Sequence, residues 1–545
     1  MIGFDFDQKA TKNRYMAIAS LALPKTYWET IKIESSDLEF LYNHLLELET
    51  PLTPQELVRA LIDERIRAEK TRMEKQQTAG GEIYYPKDRH TSGQNLTFPA
   101  LDWASGKIVS VREGNNPEHQ AFDVLTVEMQ DGKQHLFAAG LDDHSLNQPI
   151  TLQTDDPGLN ADLVYRTHGK RLVSELTAVL EENEDLVPIA GRWFPRSLLV
   201  DVNIGHLNLA EAVLEMAEGG PLTTKGILEQ VELSTDVNNK LTEFSFNLAL
   251  QEDGRFDEVG PAGEVLWFLR RLEPEEVQNP PIYLRYNPVE FDAEPIHDLL
   301  TQLEKQVYDE FALTEINGDE QDEISINLLY PHLRAGTLPL SKQISSFFPS
   351  AYESPRVQFT FVDGNTRQRL SGWVVRSQKY VYGLHDWYVS QDLIPGSTMR
   401  ILRSDKPGEV IIKAEKKRPS REWIRTALVG ADGGLVFAML KQQVSTLYDE
   451  RMAIAIPDVE ALDRLWALSG KMRGTLEQTT RTLMTELSKL NPQGHVHAQE
   501  LYAAVNLVRR CPPGPILSML ADRPWSNYLG DLYFRPSSLT MEDAP

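Results

Sequence analysis

Residues whose types and spacing could do chemistry are few in this chain. Asp123 precedes Asp131-Gly132-Lys133, a loose D…DxK spacing. Two carboxylates beside a lysine could hold Mg2+ and activate a water for phosphodiester cleavage. Asp-Gly between two apolar runs is also a hairpin turn, which accounts for the spacing without any chemistry. Gly430-Ala431-Asp432-Gly433-Gly434 is glycine-rich, but no Lys-Ser/Thr follows, so no phosphate cradle is predicted. His495 and His497 alternate at strand spacing with no evident third ligand, and turn or capping roles are expected of them. Cys511, the single cysteine, sits in Arg510-Cys511-Pro512-Pro513 with no histidine nearby to act as base. It is expected to be a buried structural thiol. No HExxH or GxSxG pattern occurs. The expectation is a non-enzymatic protein with no catalytic residue, cofactor or metal. A metal-dependent nuclease on Asp123 and Asp131 is the least favoured alternative.

Charge carries more information. The 545 residues hold 55 Lys and Arg against 80 Asp and Glu, a net charge of −25. Proteins that wrap nucleic acid gain affinity by neutralising phosphates and are usually basic, so any such contact here must be local. Residues 356–425 reverse the balance with 14 bases against seven acids, leaving the rest of the chain at −32. The same stretch carries Trp373, Tyr380, Tyr382, Trp387, Tyr388 and Trp423. Basic side chains neutralise phosphates and aromatic faces stack on bases. Arg367, Arg369, Arg376, Lys379, Lys416, Lys417, Arg418, Arg421 and Trp423 are therefore the candidate nucleic-acid-binding residues. The competing reading makes the aromatics core and the bases a solvated face, or a face docked on an acidic neighbour.

These residues need elements to position them. Ser36…Glu39 and Thr53-Pro54-Gln55-Glu56 read as capping boxes for two helices over about 36–76. The second buries Leu57, Ala60, Leu61 and Ile66, then turns polar from Glu64 to Lys75. Residues 82–147 hold short apolar runs parted by turns, the pattern of a small SH3-like barrel. Residues 170–273 and the C-terminus contain short helices followed by an aromatic hairpin, the winged-helix plan. Trp193-Phe194, Trp267-Phe268 and Tyr533-Phe534 close three such units, which marks a diverged repeat. In a DNA-reading unit the third helix needs exposed polar or basic residues. Asn238, Asn239, Lys240 and Asn247 offer these in one unit, offset by Glu243, and Arg509, Arg510 and Arg523 in the last. Glu273–Asn279 with Pro280-Pro281 reads as an extended connector, and 309–323, with seven acids and no base, as a solvated segment.

The helical pair around Thr53-Pro54-Gln55-Glu56-Leu57 resembles the winged helix (HARE-HTH type) of the delta subunit of bacterial RNA polymerase and of modules attached to chromatin and restriction proteins. The units ending at Phe256–Leu269 and Tyr528–Phe534 resemble the same fold. Gly383-Leu384-His385-Asp386-Trp387-Tyr388 and Leu393-Ile394-Pro395-Gly396-Ser397 look like the DNA-binding pseudobarrels of restriction enzymes and plant transcription factors. What the resemblance implies is a DNA- or transcription-associated setting.

The expected architecture is α+β multidomain, with several winged-helix-like units plus two small β-barrel-like domains. Its parts are 1–80, an N-terminal extension and winged-helix-like helices; 81–150, a small SH3-like barrel; 165–273, tandem winged-helix-like units; 274–344, linker and helix; 345–425, a basic, aromatic-rich barrel-like domain; and 426–545, a helical region ending in a winged-helix-like unit. The expected partner is nucleic acid or a protein of the transcription machinery. The alternative is a protein-docking scaffold without nucleic-acid contact. No apolar run nears the ~20 residues that cross a bilayer, and residues 1–16 lack a signal-peptide pattern, so a cytoplasmic location is expected.

Overall fold

A computed structural model describes residues 23, 26–78, 81–101, 104–115, 121–147, 157–231, 233, 237–314, 321–351, 354–430, 433–467 and 474–537. The N-terminal stretch read for a signal peptide lies outside them. The chain mixes helices with several separate sheets and divides into two compact units, Met1–Leu199 and Val200–Pro545. That cut falls inside the stretch 165–273.

In the first unit, helix Ser35–Leu48 is capped by Glu34 and Asp37 rather than by Ser36 and Glu39. The reason is Arg65, which ion-pairs with the Asp37 carboxylate at 2.5 Å and holds it where it also accepts the Glu34 N–H. The second box forms as read. Glu56 accepts the Thr53 N–H at 2.8 Å and returns its own N–H to the Thr53 hydroxyl at 3.2 Å. Helix Pro54–Thr78 then buries Leu57, Leu61 and Ile66. Next comes a five-stranded sheet over 82–139 in sequence order, its first pair parallel and the others antiparallel. Its Asp131-Gly132 turn has Gly132 at φ 76°, the left-handed region that glycine enters at no steric cost. Just past the last strand, Gly140 and Leu141 donate to Asp88 and Pro86, a few residues after the first strand, at 3.2 and 2.8 Å. Helix Ala161–Glu181 and the hairpin Leu186–Ile189/Arg192–Pro195 complete the unit, and Leu52 bridges to Trp193 on the second hairpin strand.

The second unit runs the same path twice. First come helix Ile204–Met216, strand Leu222–Thr223, helices Thr224–Val231 and Asn239–Glu252, and hairpin Phe256–Glu258/Leu266–Leu269. The second copy runs Leu476–Ser488, Val496–His497, Ala498–Val505, Pro513–Asp522, then Ser526–Gly530/Tyr533–Pro536. In both, the short strand pairs with the second hairpin strand, which sits in the middle of a three-stranded sheet. Trp193, Trp267 and Tyr533 face Leu52, Leu222 and His497 in register, and Phe194, Phe268 and Phe534 beside them are buried.

Between the two copies lies a seven-stranded sheet, ordered Glu323–Asn327, Thr398–Arg403, Glu409–Ala414, Arg356–Asp363, Arg369–Val375, Tyr380–Tyr382, Thr337–Pro339. Both outer strands come from sequence read as linker. The acidic stretch is solvated only in part: Asp322 and Glu323 are exposed, but Asp309 and Glu310 are buried against Arg510, whose Nη2 lies 2.8 Å from each carboxylate. Residues 315–320 lie outside the described residues. Nor is 273–279 a free connector. Glu273 is buried with its carboxylate 2.9 Å from Arg356, and a short helix, Glu275–Gln278, follows. Among the described residues no helix is long and apolar enough to cross a membrane.

Candidate nucleic-acid interface

The basic stretch 356–425 does not form one open face. Arg356 is held by Asp257 and Glu273, Arg369 by Glu409 at 2.5 Å, Arg400 by Glu415 and Glu323, and Arg425 by Glu500 at 3.0 Å. Arg376 donates to the Pro349 carbonyl, and burial pulls its guanidinium below the usual arginine range. Lys379, at φ 57° after a short 3-10 turn, extends over the Phe311 ring. Arg367 is exposed at the turn between two sheet strands, with no carboxylate partner among the described residues. The aromatic residues divide just as sharply. Trp373, Tyr380, Trp387 and Tyr388 are core, Trp387 donating its indole N–H to Asp363 at 2.8 Å, so none offers a face for stacking.

The remaining candidates lie on a different element, a two-stranded antiparallel ribbon of Lys416–Val429 and Leu435–Thr446. At one end Ala427, Leu435 and Phe437 enter a core shared with the C-terminal helices. Further along, Ile424 and Val444 are buried with Ala453 and Ala455, so the ribbon is held at both ends and exposes the opposite face between them. There Trp423 is 61% exposed, paired across the ladder with Lys441, whose Nζ lies 5.4 Å from the ring centroid. Residues two apart on a strand share a face, so Arg421 and its partner Gln443 stand beside them, both exposed. The register slips between Lys416 and Ser420, a bulge that carries exposed Lys416 and Arg418. Lys416, Arg418, Arg421 and Lys441 have no carboxylate partner among the described residues. Lys417 does: it bonds Glu422 at 2.7 Å and lies over Tyr448, and these contacts with Ser420 hold Glu422 down at about 2. The sequence reading missed Lys441 because the strand from Leu435 was not recognised. The turn glycines Gly430, Gly433 and Gly434 followed by an apolar run were the available signal.

The other chemical candidates resolve simply. Asp131 lies at the tip of its hairpin, bonded by Lys133, whose backbone N–H and ammonium hold the carboxyl below its ordinary value. No group of three or more His, Cys, Asp or Glu side chains among the described residues could hold a metal ion. His497 caps helix Ala498–Val505 by accepting the Gln499 N–H at 3.1 Å, and burial lowers it to about 4. Cys511 is buried, which pushes its thiol up to about 12.

The third helices bury most of their length, leaving Asn239 and Lys240 exposed at the first turn of one of them. In Asn239–Glu252, Leu241, Phe244, Phe246, Asn247, Leu248 and Leu250 are all buried, and Asn238 serves as the helix cap. Asn247 accepts bonds from Thr224 at 2.5 Å and from the Trp267 indole at 3.0 Å. In the last unit Arg510 is interior, Arg523 pairs with Glu477 and Asp522, and Arg509 donates to Gly474. A cleft of about 690 Å³ beside the large sheet includes Arg334, Arg369, Tyr382 and His385, but Asp463 and Glu409 already hold its two guanidinium groups. Compared with family models, with curated proteins and with solved structures, the chain gives no match.

Proposed function

We propose that this is a nucleic-acid-associated binding protein without catalytic activity, and that it holds its polyanion on the ribbon around Trp423. One observation carries the reading. In a chain of net charge −25, Lys416, Arg418, Arg421 and Lys441 are exposed, unmatched by carboxylates among the described residues, and gathered around a tryptophan ring open to solvent. Between 416 and 446 there are six bases and two acids. Cations of this kind neutralise phosphates, and the indole face stacks on a base. Of the nine candidate residues, Lys416, Arg418, Arg421 and Trp423 stay in the proposal with Lys441 added. Arg369, Arg376, Lys379 and Lys417 leave it, being engaged within the chain, and Arg367 leaves it because it lies on a turn of the large sheet and not on the ribbon.

The recurrent path of helix, strand, two helices and hairpin supports reading winged-helix modules in this chain, the first interrupted by the five-stranded insert. The back-bonding of Gly140 and Leu141 onto residues 86–88 supports a barrel-like insert. A transcription setting remains part of the proposal through that likeness. A protein-docking scaffold is the second reading, favoured by the burial of the third helices.

The test is fluorescence anisotropy with a labelled 20-nucleotide strand and its duplex at about 50 mM salt. Arg418→Ser/Arg421→Ser/Lys441→Ser is expected to weaken binding by at least about tenfold, while Lys417→Ser has little effect. Equal affinity of wild type and triple variant would remove the ribbon from the proposal.

A further inference from the structure

The ribbon also has an edge whose direction can be read from its hydrogen bonds. On the first strand, the Ala427 N–H donates to Ala455 at 2.9 Å and the Arg425 carbonyl accepts from Ala455 at 2.8 Å. These groups point away from the second strand. Backbone groups alternate sides along a strand, so the even-numbered residues from Glu422 to Leu428 bond the second strand. The register pairs them with Gln442, Leu440, Ala438 and Val436. On the second strand it is therefore the odd-numbered Met439, Lys441 and Gln443 that turn N–H and C=O outward. All three are exposed, and no described residue bonds their outward groups.

Proteins normally blunt such an edge with proline, a bulge or a covering segment. The first strand has all three: Pro419, the Lys416–Ser420 bulge and Ala455 alongside. Residues 438–444 of the second strand have none of them. The side chains around this edge are sorted by face. Val436 and Leu440, 42% and 38% exposed, lie on one face. Lys441 and Gln443 lie on the other, with Arg421 and Trp423.

We propose that the edge Met439–Gln443 accepts an extended segment of a partner protein as an added strand, and that this segment alternates acidic with apolar residues. Main-chain bonds to Met439, Lys441 and Gln443 would supply affinity, and the two faces of the ribbon would set the alternation. Charge selects this occupant over a second copy of the chain. Edge-to-edge pairing of two ribbons would bring two sets of Lys416, Arg418, Arg421 and Lys441 together with no acid between them. An acidic strand meets the same cations as partners. This proposal shares those cations with the nucleic-acid reading and adds the outward backbone groups of Met439, Lys441 and Gln443, so a variant that removes only a main-chain bond separates the two.

The experiment uses the full chain and a fluorescein-labelled Val-Glu octapeptide of four repeats. Met439→Pro removes an outward N–H and leaves the ladder to the first strand intact, since proline is tolerated on an edge. Peptide affinity is expected to fall at least about tenfold in Met439→Pro, and a Val-Lys octapeptide to bind at least about tenfold more weakly to wild type. Oligonucleotide affinity should stay unchanged in Met439→Pro. Amide exchange at 439, 441 and 443 should slow when the peptide is bound. N-methylation of alternate peptide amides tests the same bonds without altering the protein. Binding that survives both Met439→Pro and N-methylation would overturn the proposal. So would a wild-type dimer that Met439→Pro dissociates, which would give the edge to a second copy, or binding of the peptide without protection of 439–443.

Discussion

Arg510 carries its charge where its side chain has no exposed surface, between Asp309 and Glu310. The Tyr502 hydroxyl donates to Asp309 at 2.6 Å, Asn506 accepts from the guanidinium, and His332 lies 3.2 Å from Glu310. Burying ions is costly, and removing one partner leaves the others uncompensated. Arg510→Met is therefore expected to cost roughly 3–5 kcal/mol, read as a lower urea midpoint. Glu273 presents a titratable counterpart. Burial, with Asp257 beside it, pushes its carboxyl from 4.5 up to about 8 against the pull of Arg356. The folded state thus holds this proton more tightly than the unfolded chain does. The stability it contributes is complete below about pH 4.5 and is lost as pH rises through about 8. Melting temperature measured from pH 5 to 9 should fall in wild type, and Glu273→Gln should flatten that fall. An identical slope in the variant would assign the dependence to other groups.

At the scale of the element, helix Asn239–Glu252 and the ribbon differ in how they use polar side chains. Asn247 lies inside, accepting from Thr224 and Trp267. Asn247→Leu leaves those donors without their acceptor and is expected to cost about 1–3 kcal/mol in chemical denaturation, with no change in oligonucleotide binding. Trp423 is the converse. With 61% of its surface exposed, Trp423→Ser should shift stability within about 0.5 kcal/mol while weakening binding of a single strand. The two variants separate a residue that holds an element together from one that the element displays.

For the whole molecule the question is how much of the positive charge is free to act. Were all 14 bases of 356–425 to contact phosphate, log K would fall with log salt at a slope of about −10 or steeper. The four unmatched cations of the ribbon give a slope of about −3. Titration with NaCl from 50 to 200 mM distinguishes the two. A slope near −3 fits a local grip on an acidic chain, and one near −10 would mean that ion pairs such as Arg369–Glu409 open on binding.

Much of the local structure was legible in the sequence because it follows from short-range rules. Thr53 and Glu56 cap a helix, Asp131-Gly132 turns a hairpin, and the three aromatic pairs mark equivalent strands, each through neighbours a few residues apart. Composition alone also required any nucleic-acid contact to be local. What the sequence could not reveal was which charges were already spent. Arg510 meets Asp309 across 201 residues and Arg356 meets Asp257 across 99. No pattern along the chain records such pairings. Tertiary packing decided them, and with them which cations of the ribbon were left facing water.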